Sequence, residues 1–521
     1  MTRGSRHAPL YKAQQQKDTL MTTTHIVLDR ALTIASVDRR LFGVFVEHMG
    51  RGVYGGLYEP DHATANEDGF RMDVIELVRE LGPSTVRYPG GNFVSGFRWE
   101  DSVGPQSERP IRRDLAWHNL EPNQVGMDEL AKWVALTQTE LMLAINLGTR
   151  GLTEALDLLE YANHPSGTAL SDWRVANGAA EPHDIRMWCL GNEMDGHWQI
   201  GHMSASDYGD LAARTAAAMK MADKTLELVA CGSAGAPMPL FGEWDRIVLE
   251  RTYDHVDYIS AHAYYQERGG DLATFLATAA DMQYSIDTIV ATADHVGLTK
   301  KSDKKLAISF DEWNVWYADE FMKSDDVSDQ WRVAPPQLED VYTVADGVVV
   351  GSLLMTLLKN HDRVRAASLA QLVNVIAPIM TQTGGPAWRQ TIFFPFATTS
   401  RLAVGEVLRP QVTTGNYTTE KYGTSDLVDA VATFDDATGK LAVFLLNRAI
   451  EATERVTISL RDLPVSSVDE AWGLHDDDPH AKNTVDDQHR VGLKHNASAA
   501  YRDGMLTVEL PPVSWTAISL S

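Results

Sequence analysis

The chain has 521 residues, 44% of them hydrophobic, and a formal net charge of −25. That length and apolar content argue against a disordered chain or a single small core, and fit a large barrel with a second domain. The acidic balance makes nucleic acid and anionic membranes poor partners, since no basic surplus exists to meet phosphate, and it favours a neutral substrate.

Residues 1–21 are polar and irregular and lack the apolar stretch of a signal peptide. They are set aside as a disordered or non-native extension. No run is long enough to span a membrane, and the expected location is the cytoplasm. Residues 22–40, with the apolar segment Ile26–Ile34, are expected to supply strands to a later sheet. The two cysteines, Cys189 and Cys231, sit in apolar runs and read as core thiols, not as a disulfide framework.

From Leu41 the chain alternates between apolar strand-like runs and helical stretches. The predicted strands are Leu41–Glu47, Ser84–Tyr88, Leu141–Leu147, Ile185–Leu190, Leu228–Gly232, Tyr258–His262, Leu306–Phe310 and Ala366–Leu372. The predicted helices between them include Phe70–Leu81, Met127–Gln138, Thr153–Asn163, Ser206–Lys224 and Ala273–Asp294. Val74, Leu77, Val78 and Leu81 keep the helical period on one face. Apolar strands without alternation suit a parallel sheet buried on both faces. The pattern over residues 41–395 predicts an α/β fold, a (β/α)8 TIM barrel.

After Pro395 the strands alternate. Val456, Ile458 and Leu460 face one way and Arg455, Thr457 and Ser459 the other. This predicts a C-terminal β-sandwich, jelly-roll-like, over residues 396–521. The acidic stretch His475–His489 reads as a solvated loop, with a calcium site as the weaker alternative.

The barrel strands end in polar groups: Glu47 with His48, Arg87, Asn146, Asn192 with Glu193, Ser233, His262 with Tyr264, Glu312, and Gln371 with Asn374. In a barrel these ends converge on one face, where active sites lie. Glu193 and Glu312 each close a buried apolar run. A facing pair of carboxylates is the equipment for cleaving a glycosidic bond, one as acid and one as electron donor. Two carboxylates a few ångströms apart cannot both ionise easily, so one stays protonated. Asn192 is placed to bond a sugar 2-hydroxyl, and Tyr264 to donate to the nucleophile.

Gly191-Asn192-Glu193-Met194-Asp195-Gly196 and Phe310-Asp311-Glu312-Trp313-Asn314 resemble the catalytic segments of glycoside hydrolase family 51, the α-L-arabinofuranosidases. The resemblance continues at Phe42–His48, Arg87–Phe93, Ser260–Tyr265 and Gln371–Ile376, and spans the chain from about Ile26 to its end. It implies a retaining mechanism with Glu312 as nucleophile and Glu193 as acid/base. It implies a sugar-binding set of Glu47, Arg87, Asn92, Asn192, Tyr264 and Gln371. It also implies an exo-acting enzyme on arabinan or arabinoxylan oligosaccharides, no cofactor, and a homo-oligomer, often a hexamer. Trp117 and Trp316 are placed as apolar walls for the sugar, with barrel anchors as the alternative. His262 is counted with the substrate-binding group, although scaffold and proton-shuttle roles both remain open.

Glu47 and Arg87 have a competing reading as a structural ion pair. The histidines lack a metal-ligand spacing, so no metal is expected. Asp195 and Asp311 flank the glutamates and, because strand neighbours point to opposite faces, are expected to be scaffold. Two rival functions remain: another retaining barrel glycosidase, such as a β-xylosidase or endoglucanase, and a carbohydrate-binding protein without catalysis.

Overall fold

The computed structural model of the chain describes residues 23–323 and 331–521, so the N-terminal extension 1–21 lies outside the described residues. The first strands are β1 (Thr23–Asp29) and β2 (Thr33–Ser36). Then come β3 (Gly43–Phe45), β4 (Thr85–Tyr88), a hairpin of β5 (Arg112–Asp114) and β6 (Asn119–Glu121), and β7 (Glu140–Ala144). They are followed by β8 (Met187–Leu190), β9 (Glu227–Ala230), β10 (Tyr258–Tyr265), β11 (Ala307–Val315) and β12 (Val364–Leu369).

Without the hairpin, these strands from β3 onward close into a parallel barrel in the order β3-β4-β7-β8-β9-β10-β11-β12. The expected TIM barrel is the observed fold. β8 shows why its strands lack alternation. Trp188 and Leu190 pack outward against helices, while Met187 and Cys189 fill the barrel interior with Met142, Ala144 and Val229. Both faces are dry, so both are apolar.

The helical layer differs from the sequence reading at two places. The expected helix Ala273–Asp294 is two helices, Leu272–Leu276 and Ala279–Lys300. A helix at Val344–Lys359 was not read from the sequence, because every residue from Val344 to Leu358 is buried and no polar face marks a period. It lies between the barrel and the strand-rich domain.

That domain has two sheets. One has five strands, in the order 411–413, β1, 454–461, 505–510 and 500–502. The other has seven, in the order β2, 406–408, 428–435, 440–447, 514–520, 468–474 and 494–495. Ile26, Leu28, Val456, Ile458, Leu506 and Val508 meet Ala430, Val443 and Ile518 in one apolar cluster between the sheets. The segment 475–489 docks on the helix Val344–Lys359: Ala481 O and Pro479 O accept from the backbone N–H groups of Val344 and Ala345. Asp476, at its start, is held by Arg490 and Lys494.

Candidate active site

Glu312 lies on β11 and Glu193 just beyond β8. Both are buried. One atom each of Glu193, His262 and Glu312 lie within 4.8 Å of one another. This is close spacing for two carboxyl groups, as a direct displacement by one of them requires.

Glu312 is held from two sides. Arg87 Nη1 donates to Oε1 at 2.7 Å and the Tyr264 hydroxyl donates to Oε2 at 2.8 Å. Arg87 Nη2 also donates to Asn192 Oδ1 at 2.7 Å, and its guanidinium lies over the Phe45 ring. Burial alone would lower the pKa of Arg87, but the charges of Asp311 and Glu312 hold it above its ordinary value. The side chain therefore stays a cation.

Glu193 has different company. Oε2 accepts from Trp198 Nε1 at 2.8 Å, and Oε1 lies 2.9 Å from His262 Nδ1. Burial raises its pKa and the negative charge of Glu312 adds to the effect, outweighing His262 and Trp198, which pull the other way. Glu193 also has φ 44°, in the left-handed region that a side chain with a Cβ seldom occupies. The turn after β8 thus aims the carboxyl inward at a cost in backbone strain.

His262 bridges the two halves of the site. Nε2 lies 3.0 Å from Asp311 Oδ1 and Nδ1 meets Glu193. Burial alone would depress its pKa. Glu312, Asp311 and Glu193 outweigh that and lift it to about 10. An imidazolium donates to both oxygens, whereas neither neutral tautomer can donate to both. With both nitrogens engaged, His262 positions carboxylates and has no free atom for a sugar.

Asp311 corrects the alternation argument. Strict period two would send Asp311 and Glu312 to opposite faces. The register between β10 and β11 slips between Ser260 and His262, so Ser260 pairs with Ser309 but His262 with Glu312. This bulge brings both acidic side chains to the site. Asp311 is fully buried, lies 3.7 Å from Arg87 Nε, and accepts from Ser309 Oγ at 3.2 Å. Burial would raise its pKa, but Arg87 and His262 hold it below the usual carboxylate range. The side chains of Arg87 and His262 thus lie among the carboxyl groups of Asp311, Glu312 and Glu193.

Glu47 forms a second group across the mouth. Oε1 accepts from Phe93 N at 2.9 Å and Trp117 Nε1 at 2.8 Å, and Oε2 from Gln371 Nε2 at 3.1 Å. It makes no ion pair with Arg87, so the structural-pair alternative does not describe it. Burial pushes its pKa up to about 8, against those donors. The sequence Pro89-Gly90-Gly91 passes directly beneath it. A Cβ on Gly91 would sit 2.6 Å from Glu47 Oε2, so only glycine fits.

Asn92 Oδ1 accepts from Asn192 Nδ2 at 3.4 Å. The Trp316 ring meets that of Tyr264 edge-on, centroids 5.3 Å apart. The eleven candidate residues therefore form two groups at one mouth: Glu193, Glu312, Arg87, Asn92, Asn192, Tyr264, His262 and Trp316, joined to each other or through Asp311, and Glu47 with Trp117 and Gln371. Four other strand-end groups join neither. His48 bonds Tyr88 and Glu121, Asn146 bonds the Phe97 carbonyl, Ser233 bonds Asp195, and Asn374 bonds the Arg51 carbonyl. Trp198 was missed because a partly exposed tryptophan in a loop gives no periodic signal.

The trio Glu193, His262 and Glu312 is also the one group of potential metal ligands among the described residues. Its donor atoms already have protein partners, and Arg87 at 2.7 Å from Glu312 opposes a further cation.

Two family models match: the α-L-arabinofuranosidase 1 domain over residues 77–283 and the α-L-arabinofuranosidase C-terminal domain over residues 311–514. An exo-α-(1→6)-L-arabinofuranosidase of Bifidobacterium longum is 55% identical over 505 residues, covering 95% of this chain and 97% of the relative. An intracellular exo-α-(1→5)-L-arabinofuranosidase of Streptomyces lividans is 53% identical, covering 96% of this chain and 75% of the relative. The solved structure of AbfB, a family 51 α-L-arabinofuranosidase from Bifidobacterium longum, superposes with a TM-score of 0.93 at 48% identity, covering 96% of this chain and all of that one.

Proposed function

The chain belongs to the family 51 α-L-arabinofuranosidases, and on that premise we propose that Glu312 is the nucleophile and Glu193 the acid/base of its reaction. The enzyme is an exo-acting α-L-arabinofuranosidase, a glycoside hydrolase with the retaining mechanism of its family. The observation that carries the residue assignment is the unequal environment of the two glutamates. Glu312 faces a cation and a hydroxyl donor, which suit an anion that must attack. Burial and its neighbour's charge raise the pKa of Glu193, which suits a proton donor.

In the first step Glu312 attacks the anomeric carbon and forms an ester. Glu193 gives its proton to the departing oxygen. In the second, Glu193 takes a proton from water, which displaces the ester with net retention. Asn192, oriented by Arg87, bonds the 2-hydroxyl. Glu47, Asn92 and Gln371 bond the remaining hydroxyls, with Trp117 and Trp316 as apolar walls. The substrates are oligosaccharides of arabinan or arabinoxylan with a terminal α-L-arabinofuranose.

The reading extends to a cytoplasmic homo-oligomer. Two supports for the location are the word "intracellular" in several relatives' names and the lack, among the described residues, of a helix long and apolar enough to cross a membrane. It assigns catalysis to residues 41–395 and the sandwich to 22–40 with 396–521. The test compares aryl α-L-arabinofuranoside, β-D-xyloside and β-D-glucoside, and follows the configuration of the first-formed sugar. Rapid cleavage of the arabinofuranoside alone, with retention, is expected. Inversion, or equal rates on the xyloside, would overturn the reading.

A further inference from the structure

Four of the candidate sugar-binding groups come from one arc of the barrel, while Asn192 and Tyr264 come from the ends of β8 and β10. Gln371 follows β12, Glu47 follows β3, and Arg87 and Asn92 belong to β4 and the turn after it. In the closed order, β9 and β10 lie diametrically opposite β3 and β4. Glu193, just beyond β8, and Glu312, on β11, flank that opposite arc. The leaving oxygen must lie beside Glu193, its proton donor in this reading, so the leaving group departs on the side of β8 to β10.

A cavity of about 210 Å³ lies there, at the end of β10. Tyr264, whose hydroxyl bonds Glu312, forms part of its wall. Its other wall comes from the strand-rich domain. The hairpin of strands 416–419 and 423–426 belongs to neither sandwich sheet. It reaches the barrel, where the Tyr417 hydroxyl donates to the Ala273 carbonyl at 3.2 Å. At its tip Lys421 Nζ lies 4.7 Å from the centroid of the Tyr422 ring, so an aromatic ring and an ammonium stand side by side.

Tyr265 lines the floor, its hydroxyl interacting with Asp281. Gln266 adds a planar amide. Aromatic rings beside amide and ammonium donors match the alternating apolar faces and hydroxyl edges of a sugar ring.

We propose that this cavity is a subsite for one neutral sugar residue of the leaving oligosaccharide, built jointly by the β10 loop and the 416–426 hairpin. Tyr422 supplies the stacking face, and Lys421 and Gln266 supply hydrogen bonds. The proposal rests on the exo-hydrolase reading above. It explains why a hairpin leaves the sandwich to meet the barrel mouth.

The test measures kcat/KM of Tyr422→Ala, Lys421→Ala and the conservative Tyr422→Phe on an aryl α-L-arabinofuranoside and on a ladder of arabino-oligosaccharides from dimer to tetramer. The unmodified enzyme's cleavage of the aryl substrate establishes the underlying reading independently. For Tyr422→Ala the aryl substrate should change less than about twofold, while at one chain length kcat/KM falls about tenfold through a raised KM. Tyr422→Phe should restore most of that loss, and Lys421→Ala should show the same length threshold. A uniform fall on all substrates, or no fall at any length, would overturn the subsite.

Discussion

Between its two sheets the sandwich buries Ile26, Leu28, Val456, Ile458, Leu506 and Val508, each 1% exposed or less. The barrel mouth buries Arg87, Glu193, His262, Asp311 and Glu312, none more than 9% exposed. The sandwich strand 454–461 follows period two without interruption. The mouth departs from local rules, with a left-handed glutamate and a bulge that turns Asp311 inward. The first arrangement gains free energy from apolar burial. The second holds charges out of water and needs every partner in place. Stability and chemistry are thus assigned to different regions, and substitutions in each should separate them.

The largest effect is expected at the mouth. Glu312→Ala should lower kcat by roughly 10³-fold or more, since it removes the covalent route. Thermal unfolding should show no comparable loss. Severe destabilisation together with lost activity would erase the contrast between the regions.

Glu193→Ala should be selective. Poor leaving groups should slow by about 10²-fold or more, while activated aryl substrates suffer far less in the glycosylation step. Azide should accelerate turnover of the ester and give a product of retained configuration. The pH dependence has a definite sign. Glu193 is protonated below its raised pKa, so kcat/KM falls as pH rises through that value. In Glu193→Ala, with an activated substrate, this alkaline limb should vanish. Its persistence would assign the proton to another group.

Much of this was legible in the sequence. Both glutamates and the eight strands stand out because an apolar run that ends in a carboxylate is unusual. What escaped depended on contacts between strands. β11 was expected to stop at Phe310 but runs to Val315, because β10 extends to Tyr265 and pairs with it. Asp311 was misplaced because a bulge is a property of two strands and leaves no mark on one. The helix Val344–Lys359 was invisible because it is apolar all round.

Tyr264→Phe should give a smaller loss. It deletes the hydroxyl that donates to Glu312 at 2.8 Å. A hydrogen bond to a charged group contributes about 1.5–3 kcal/mol, so kcat/KM should fall about 10- to 100-fold. An unchanged kcat/KM would show that Arg87 alone holds the carboxylate.

Ile458→Ala sharpens the comparison from the other side. It empties a fully buried position in the sandwich core. Unfolding free energy should drop by about 2–5 kcal/mol, measured by denaturant titration. Activity per folded molecule should stay within about twofold on an aryl substrate, an effect size that near-independent sites allow. A large kinetic change would show that the two regions are coupled.

The most direct test of the central claim is covalent trapping. A mechanism-based furanosyl inhibitor that forms a slowly hydrolysed ester should inactivate the enzyme with one-to-one stoichiometry, and peptide mapping should find the sugar on Glu312. Attachment to Glu193, Glu47 or Asp311 would contradict the assignment of roles drawn from the two glutamates' surroundings.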